Sequence, residues 1–383
     1  MKKPVFVLAP DSFKGSLTAG QVCLAMERGI KKVMPDAECI KVPMADGGEG
    51  TVQSLVDATG GKIYELEVTG PLGTPVMAKY GIMGDGKTAA IEMASASGIH
   101  FVNKDTRNPL ITTTYGTGEL VKACLDKGIK KIILGIGGSA TNDGGAGFAQ
   151  ALGVRFLDNQ GKELPSGGAA LKNLSVIDIS AIDSRLRDVD IEVACDVTNP
   201  LCGETGASYV FSPQKGATPD MVIELDNALE HYAEMIKMQL LKDVKNVPGG
   251  AGAAGGLGAG LLTFANARLE KGVEIIISYT NLREIVKKAN IVFTGEGGID
   301  FQTQYGKTPY GVAKVAKEEG KSVIAIAGYI GKGVEQLYSF GFDAILGIMP
   351  GVMTMEEAIE SASDNVERTI ENIVRILKLN NAD

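Results

Sequence analysis

The chain has 383 residues, of which 44% are hydrophobic and 22% charged, and these values exclude a disordered, a collagen-like or a disulfide-stapled small protein. Its formal net charge of −8 disfavours a nucleic-acid partner or an anionic membrane surface, because both need a basic face. Two histidines, and five cysteines without a CxxC pair, disfavour a histidine triad, a zinc site and a disulfide framework. We therefore expect a cytoplasmic protein that acts on a small molecule, and the sequence leaves a homodimer open.

The predicted elements alternate between short apolar strands and amphipathic helices. In the first part of the chain they are a strand at 4–9, a helix at 18–33, a strand at 38–42 and a helix from about 51. The middle of the chain contains a hairpin of strands 77–83 and 88–93 and two further strands at 131–135 and 191–195. The last part contains strands at 291–294, 322–327 and 344–349 and helices at 309–319 and 355–379.

This order predicts an α/β protein with two α/β domains. The first is an open parallel-sheet domain of the Rossmann or flavodoxin type, formed from both chain ends, residues 1–69 plus 287–383. The second, over 70–286, is inserted into it and carries glycine-rich loops suited to binding phosphate.

Two segments match nucleotide-binding sequence motifs but lack the flanking strands or helices that those motifs require. Residues 81–88 spell a Walker A motif, but a strand-like segment follows and Asp85-Gly86 predicts a hairpin turn. Gly250, Gly252 and Gly255 spell a dinucleotide fingerprint, but Asn246-Val247-Pro248 precedes it where a strand is required. The surrounding segment 248–260 is rich in glycine and alanine, which favours either close backbone packing or a phosphate cradle at the start of a helix.

Five loops combine small residues with carboxylates, each near the end of an apolar strand: 9–14, 45–50, 135–145, 194–200 and 294–300. In open α/β sheets the ligand binds outside the carboxyl ends of the strands. Glycine lets backbone amides approach an oxyanion, and neighbouring acids can hold Mg²⁺. With so little histidine in the chain, these loops predict phosphoryl or carboxylate chemistry.

Seven segments, in chain order, resemble the type I glycerate kinase family: APDSFKGSLTA, PMADGGEGT, TGPLG, LGIGGSATNDGGAG, VACDVTNPL, SPQKGATP and TGEGGID. The resemblance implies a two-domain enzyme that phosphorylates D-glycerate with ATP and Mg²⁺, with its active site in the cleft between the domains. Bacterial members of this type resemble 2-kinases, which implies 2-phosphoglycerate as the product, with 3-phosphoglycerate as the alternative. Family members commonly carry arginine where this chain has Gly298, so Lys307 or Lys14 would have to supply the missing positive charge.

With this resemblance as the guide, we predict roles for residues in these loops. Asp46 is the candidate general base, with Asp143 as the alternative, and Lys14 and Asp196 complete the catalytic set. The candidate metal ligands are Asp196, Glu296 and Asp300. The substrate-binding candidates are Asp11, Ser12, Lys14, Gly47 and Gly48, and the candidates for binding the nucleotide are Gly137, Gly138, Ser139, Gly252, Gly255, Gly256 and Lys307.

Two rival functions remain at this stage. A dinucleotide-dependent oxidoreductase would rest on the glycine spacings at 250–255 and 135–140. A glycerate or nucleotide sensor with impaired catalysis would rest on Gly298.

Overall fold

The computed structural model describes residues 3–245, 247 and 249–379. Its strands are β1 (Val5–Leu8), β2 (Glu38–Lys41), β3 (Lys62–Thr69), β4 (Pro75–Ile82), β5 (Thr88–Glu92), β6 (Lys131–Gly135), β7 (Arg155–Leu157), β8 (Val176–Asp178), β9 (Asp190–Ala194), β10 (Arg268–Glu270), β11 (Ile291–Ile299), β12 (Ser322–Ile330) and β13 (Ala344–Gly347). Its helices are α1 (Ala19–Val33), α2 (Thr51–Thr59), α3 (Ala94–Ser97), α4 (Tyr115–Asp126), α5 (Ala146–Ala151), α6 (Ala207–Phe211), α7 (Pro219–Leu240), α8 (Ala253–Phe264), α9 (Gly272–Tyr279), α10 (Leu282–Val286), α11 (Thr308–Glu318), α12 (Met355–Glu360) and α13 (Ala362–Leu379). The mixed α/β class predicted from the sequence is confirmed.

The chain divides into two compact units, the first formed by residues 1–46, 53–60 and 273–383, and the second by 47–52 and 61–272. These bounds differ from the predicted ones in three places. Residues 47–52 belong to the second unit rather than the first. Strand β3 pairs with β4 in the sheet of the second unit, and the segment 273–286 belongs to the first.

The first unit is built on a five-stranded parallel sheet in the order β13-β12-β11-β1-β2. Numbered within the sheet, this is the flavodoxin-like order 2-1-3-4-5, in which the winding direction reverses between β1 and β11. Helices α1 and α13 pack closely, because Gly29 brings the α1 backbone near the carbonyl of Glu367. The buried core includes Phe6, Leu8, Met26, Ile30, Phe293, Ile326 and Ile370.

The second unit is built on a six-stranded mixed sheet in the order β10-β9-β6-β5-β4-β3. Strands β5, β6, β9 and β10 are parallel, and β3 and β4 complete an antiparallel edge. The carboxyl ends of β6 and β9 lead directly into the glycine-rich loop 135–145 and the loop 194–200. A small hairpin, β7 with β8, lies outside this sheet.

The segment 81–88, which matches the Walker A pattern, forms a hairpin turn, as predicted. Strands β4 and β5 pair in antiparallel fashion, and the Asp85 carboxylate accepts hydrogen bonds from the amides of Lys87 and Thr88. Gly86 takes φ +67°, the left-handed conformation that such a turn requires. No helix follows the loop, so phosphate cannot meet a helix N-terminus there.

Two predicted elements have different bounds. The predicted helix 355–379 is two helices, since Ser361 leaves the helical conformation at φ −90° and ψ 4° between α12 and α13. Strand β11 continues five residues past the predicted end at 294, so Glu296 lies in a paired strand, opposite Ala327. Within the described residues, no helix combines the length and the apolar character that crossing a bilayer requires.

The glycine-rich segment near residue 250 packs against other backbone. Pro248 lies outside the described residues, and Gly249 and Gly250 form a turn that leads into α8 without a preceding strand. A Cβ at Gly252 would overlap the Pro200 carbonyl, and one at Gly255 would overlap the Thr141 carbonyl. Close packing therefore explains these glycines without a ligand, and a nucleotide-binding role for Gly252, Gly255 and Gly256 stays a prediction.

Candidate functional site

Three carboxylates meet at the reversal point of the five-stranded sheet. Asp11 follows β1, Asp46 follows β2, and Glu296 lies near the carboxyl end of β11. The Asp11 amide donates to the Gly295 carbonyl at 2.8 Å, which ties the loop after β1 to β11. The Asp46 charge raises the pKa of both Asp11 and Glu296, so the three acids interact. Such reversal points are where open α/β sheets bind ligands.

Asp11 is the most perturbed member of this carboxylate cluster. Its side chain is buried, and burial, followed by repulsion from Asp46, raises its pKa to about 7. The Thr308 hydroxyl donates to Oδ2 at 2.5 Å and the Ser12 amide donates to Oδ1 at 2.6 Å. A carboxyl group with this pKa can take up and release a proton near neutral pH.

Glu296 pairs with a lysine from the start of α11. The Lys307 ammonium lies 3.4 Å from Glu296 Oε1, and the Thr303 hydroxyl donates to the same oxygen at 3.0 Å. Burial raises the Glu296 pKa, while Lys307 opposes that shift. Asp300 has a structural role instead. Its carboxylate accepts a hydrogen bond from the Gln302 amide at 2.8 Å and caps a short 3₁₀ helix.

Lys14 lies in the loop that follows Asp11. Its side chain is exposed, and its backbone nitrogen lies near Gly297 of β11, 3.5 Å from where a Cβ there would stand. At Gly298 a Cβ would meet only ordinary contacts, the nearest being a Tyr329 ring carbon at 3.8 Å. The backbone therefore leaves room for a side chain at Gly298.

In the second unit, the loop after β6 exposes Gly137 and Gly138 and then turns inward at Ser139. The alternative base Asp143 is fully buried in this loop. Its carboxylate accepts hydrogen bonds from the amides of Thr114, Gly145 and Gly147 and from the Thr114 hydroxyl. Burial still raises its pKa. The two bonds from Thr114 tie the loop to the start of α4, the two from Gly145 and Gly147 fix the loop where it enters α5, and this geometry favours a structural role for Asp143.

A buried lysine supports the same loop. Lys215 ends a short 3₁₀ helix, Pro213–Lys215, and its Nζ donates to Ser139 Oγ and to the Thr141 carbonyl, both at 2.6 Å. It is 2% exposed, and burial lowers its pKa to about 7. The sequence offered one signal for this residue, its place in SPQKGATP, but nothing in the pattern marks it as buried.

Loop 47–52 is held on the second unit by glycines and an acid. Gly47 takes φ +92°, and a Cβ there would stand 2.5 Å from the Ala194 Cβ, so the loop lies against the end of β9. The Glu92 carboxylate, at the end of β5, accepts the Val52 amide at 2.9 Å. Asp196, in the loop after β9, is exposed, and its Oδ1 accepts the Gly272 amide at 3.0 Å.

The structure thus groups part of the predicted set within each unit. Asp11, Asp46, Glu296 and Lys307 interact in the first unit, and Ser139 lies in a loop braced by Asp143 and Lys215 in the second. Thr308, Lys215 and Glu92 were not predicted from the sequence. Among the residues that the structure describes, no three or more His, Cys, Asp or Glu side chains form a group arranged to hold a metal ion by themselves.

Comparisons with known proteins agree along the whole chain. The sequence model of the Glycerate kinase family matches residues 6–378. A glycerate kinase from Bacillus subtilis is 56% identical, with 97% of each chain covered, and a glycerate 2-kinase from Escherichia coli K12 is 52% identical, with 97% of this chain and 98% of that protein covered. The crystal structure of a candidate glycerate kinase 2 from Salmonella typhimurium LT2 has a TM-score of 0.91 at 50% identity and covers 99% of this chain and 100% of that one. The chain therefore belongs to the glycerate kinase family.

Proposed function

We propose that the protein transfers the terminal phosphoryl group of ATP to the 2-hydroxyl of D-glycerate, giving 2-phosphoglycerate and ADP. The observation that carries this proposal is the cluster of Asp11, Asp46 and Glu296 at the sheet's reversal point, in a chain of this family. The glycerate 2-kinase from Escherichia coli supports the 2-position.

The cluster is suited to accept the hydroxyl proton of the substrate. Three neighbouring carboxylates repel one another, so a proton added to the cluster relieves that repulsion. Asp46 is the proposed contact to the hydroxyl. Asp11, whose pKa is about 7, can share the proton near the working pH. Removing this proton makes the substrate oxygen a better nucleophile.

Phosphoryl transfer depends mostly on positioning and on charge stabilisation. We assign Lys14 and Ser12, next to Asp11, to the anionic substrate or to the transferring group. Lys307, which neutralises Glu296 at 3.4 Å, is a second cation available to a phosphate. In the second unit, we assign the nucleotide phosphates to Gly137, Gly138 and Ser139, and we keep Gly47 and Gly48 as substrate contacts.

The donor set fits Mg²⁺ bound with substrate. This ion prefers oxygen ligands and is usually held by one or two carboxylates together with phosphates and water. Glu296 is the proposed ligand in the first unit and Asp196 is a separate candidate in the second, whereas the Asp300 carboxylate already caps a short 3₁₀ helix. Bound Mg²⁺ supplies positive charge that offsets the charge on the phosphates.

The test is ADP release measured with D-glycerate, ATP and Mg²⁺, in the wild type and in the Asp11→Asn variant. We expect D-glycerate-dependent ADP formation that falls roughly 10²- to 10⁴-fold in the variant, because the proton acceptor is weakened. Asp220→Asn is the matched control, since Asp220 is an exposed acid at the start of α7. If D-glycerate bound without ADP formation, the protein would be a sensor; if the Asp11→Asn variant matched the wild type, Asp11 would have no role in the proton transfer.

A further inference from the structure

The buried lysine behind the glycine-rich loop is not used by the proposed reaction, although it touches that loop directly. Lys215 Nζ donates to Ser139 Oγ and to the Thr141 carbonyl, both at 2.6 Å. The side chain is almost wholly buried, whereas Gly137 and Gly138, the two residues before Ser139, are exposed. The hydrogen bond to Ser139 therefore joins the buried nitrogen to the residue that directly follows the exposed part of the loop.

The number of acceptors around Nζ matches a neutral amine. An amine has two N–H groups, and both acceptors are present; an ammonium has a third N–H, for which no acceptor occurs among the described residues. The physical cause of a neutral state is burial, which lowers the Lys215 pKa to about 7.

Ser139 is left with a proton to donate. Its oxygen accepts from Lys215, so its own O–H is free for another acceptor, and within the described part of the chain no acceptor takes it. An oxyanion on the exposed part of this loop would provide that acceptor. Its negative charge would also favour the charged form of Lys215.

The other charged or titratable groups around Lys215 do not replace such a ligand. Asp143 attracts the ammonium, but its carboxylate already accepts four hydrogen bonds in the loop. The Arg107 guanidinium donates to the Gln214 carbonyl at 3.3 Å and, being a cation, does not serve as a counterion for Lys215. Tyr232 is fully buried, and burial holds its pKa far above the normal value, so it stays neutral.

We propose that Lys215 and Ser139 form a proton-coupled oxyanion site: an oxyanion bound on residues 137–139 accepts a hydrogen bond from the Ser139 hydroxyl, and Lys215 takes up one proton from solvent as the oxyanion binds. The site rests on the proposed function in placing a reactant at this loop. The oxyanion is a phosphate of the nucleotide or the carboxylate of glycerate, which share this chemistry. Lys215 acts through Ser139 and is a positioning residue.

The experiment measures protons taken up on binding, by isothermal titration calorimetry at pH 8 in two buffers of different ionisation enthalpy. ADP and D-glycerate are titrated in separate arms, so the arm that shows uptake identifies the ligand. At pH 8 a group of pKa near 7 is mostly deprotonated, so we expect uptake of about one proton by the wild type in one arm.

The variants separate the proposal from a merely structural role. Lys215→Met should abolish the uptake and weaken that ligand roughly 10- to 100-fold, because a charged hydrogen bond is lost. Lys215→Arg keeps the charge permanently and should bind without uptake, which preserves the test if the methionine variant does not fold. Lys242→Met is the control, because Lys242 is also partly buried and donates to two carbonyls, those of Leu262 and Thr263.

Two results would overturn the site: no uptake by the wild type in either arm, or equal uptake by the wild type and the Lys215 variants. Failure of the proposed function would appear elsewhere, as absence of D-glycerate-dependent ADP formation. A fully active kinase with no proton uptake would refute this inference alone.

Discussion

At the residue scale, the candidate site depends on acids whose proton affinity is set by their neighbours. Asp11 is buried beside two other carboxylates, and desolvation and repulsion together bring its pKa to about 7. The sequence could identify Asp11 as a loop carboxylate after a strand. It could not predict the Thr308 hydroxyl, which arrives from 297 residues away at 2.5 Å.

The role of Lys14 is tested by Lys14→Met, which keeps the apolar stem and removes the charge. We expect kcat/KM for D-glycerate to fall roughly 30- to 1,000-fold, because one charge-assisted contact of about 2–4 kcal/mol is lost. A rise in KM alone would indicate contact with the substrate carboxylate, and a fall in kcat alone would indicate contact with the transferring phosphoryl group. Lys104→Met, at another exposed lysine, is the control; a Lys14 variant within about threefold of wild type would make Lys14 an ordinary surface residue.

At Gly298 we predict that adding a positive charge improves the binding of D-glycerate. A side chain fits at this position, since the nearest atom to a Cβ is 3.8 Å away, so Gly298→Arg should fold normally and place a cation next to the cluster in β11. We expect the KM for D-glycerate to fall roughly tenfold, with little change in melting temperature. Gly298→Ala controls for the backbone. An arginine variant no better than the alanine variant would show that the site does not lack a cation here.

At the element scale, the glycine-rich segments are where the structure differs most from the predicted elements. The run Gly295, Gly297 and Gly298 predicted a loop, yet β12 pairs with the strand through Ile299, so pairing with a buried neighbour overrides the weak strand propensity of glycine. At α8 the local conformation departs from the assigned element. Ala254, Gly255 and Gly256 lie within the helix bounds but do not have helical backbone angles.

The packing role of the glycine-rich segment is tested by Gly255→Ala. Gly255 has φ +70°, and a Cβ would overlap the Thr141 carbonyl oxygen, so strain and clash add. Gly128→Ala is matched for backbone conformation, with φ +73°, but its Cβ would meet nothing within 4 Å. In urea unfolding we expect a loss of about 1–2 kcal/mol for Gly128→Ala and about twice that or more for Gly255→Ala. Equal losses would show that the segment can move aside.

At the scale of the whole molecule, the sequence predicted more of the fold than of the site. Strand and helix order follows from hydrophobic periodicity, which is local, and it gave the mixed α/β class and most elements. Asp143 takes two of its four hydrogen bonds from Thr114, 29 residues away, and Lys215 donates to residues 76 and 74 positions away, so no local pattern reveals these contacts or the burial of the lysine. No strand is predicted over 62–69, where the structure has β3, and its pairing with β4 assigns this segment to the second unit.

The most direct test of the account identifies the product. The protein is incubated with D-glycerate, ATP and Mg²⁺, and the new phosphate ester is observed by proton-coupled phosphorus NMR. A phosphate on the 2-position is bonded through oxygen to a carbon with one hydrogen and gives a doublet, whereas one on the 3-position, on a carbon with two hydrogens, gives a triplet. The account predicts a doublet that grows as ADP accumulates; a triplet, or the absence of any new ester, would contradict it.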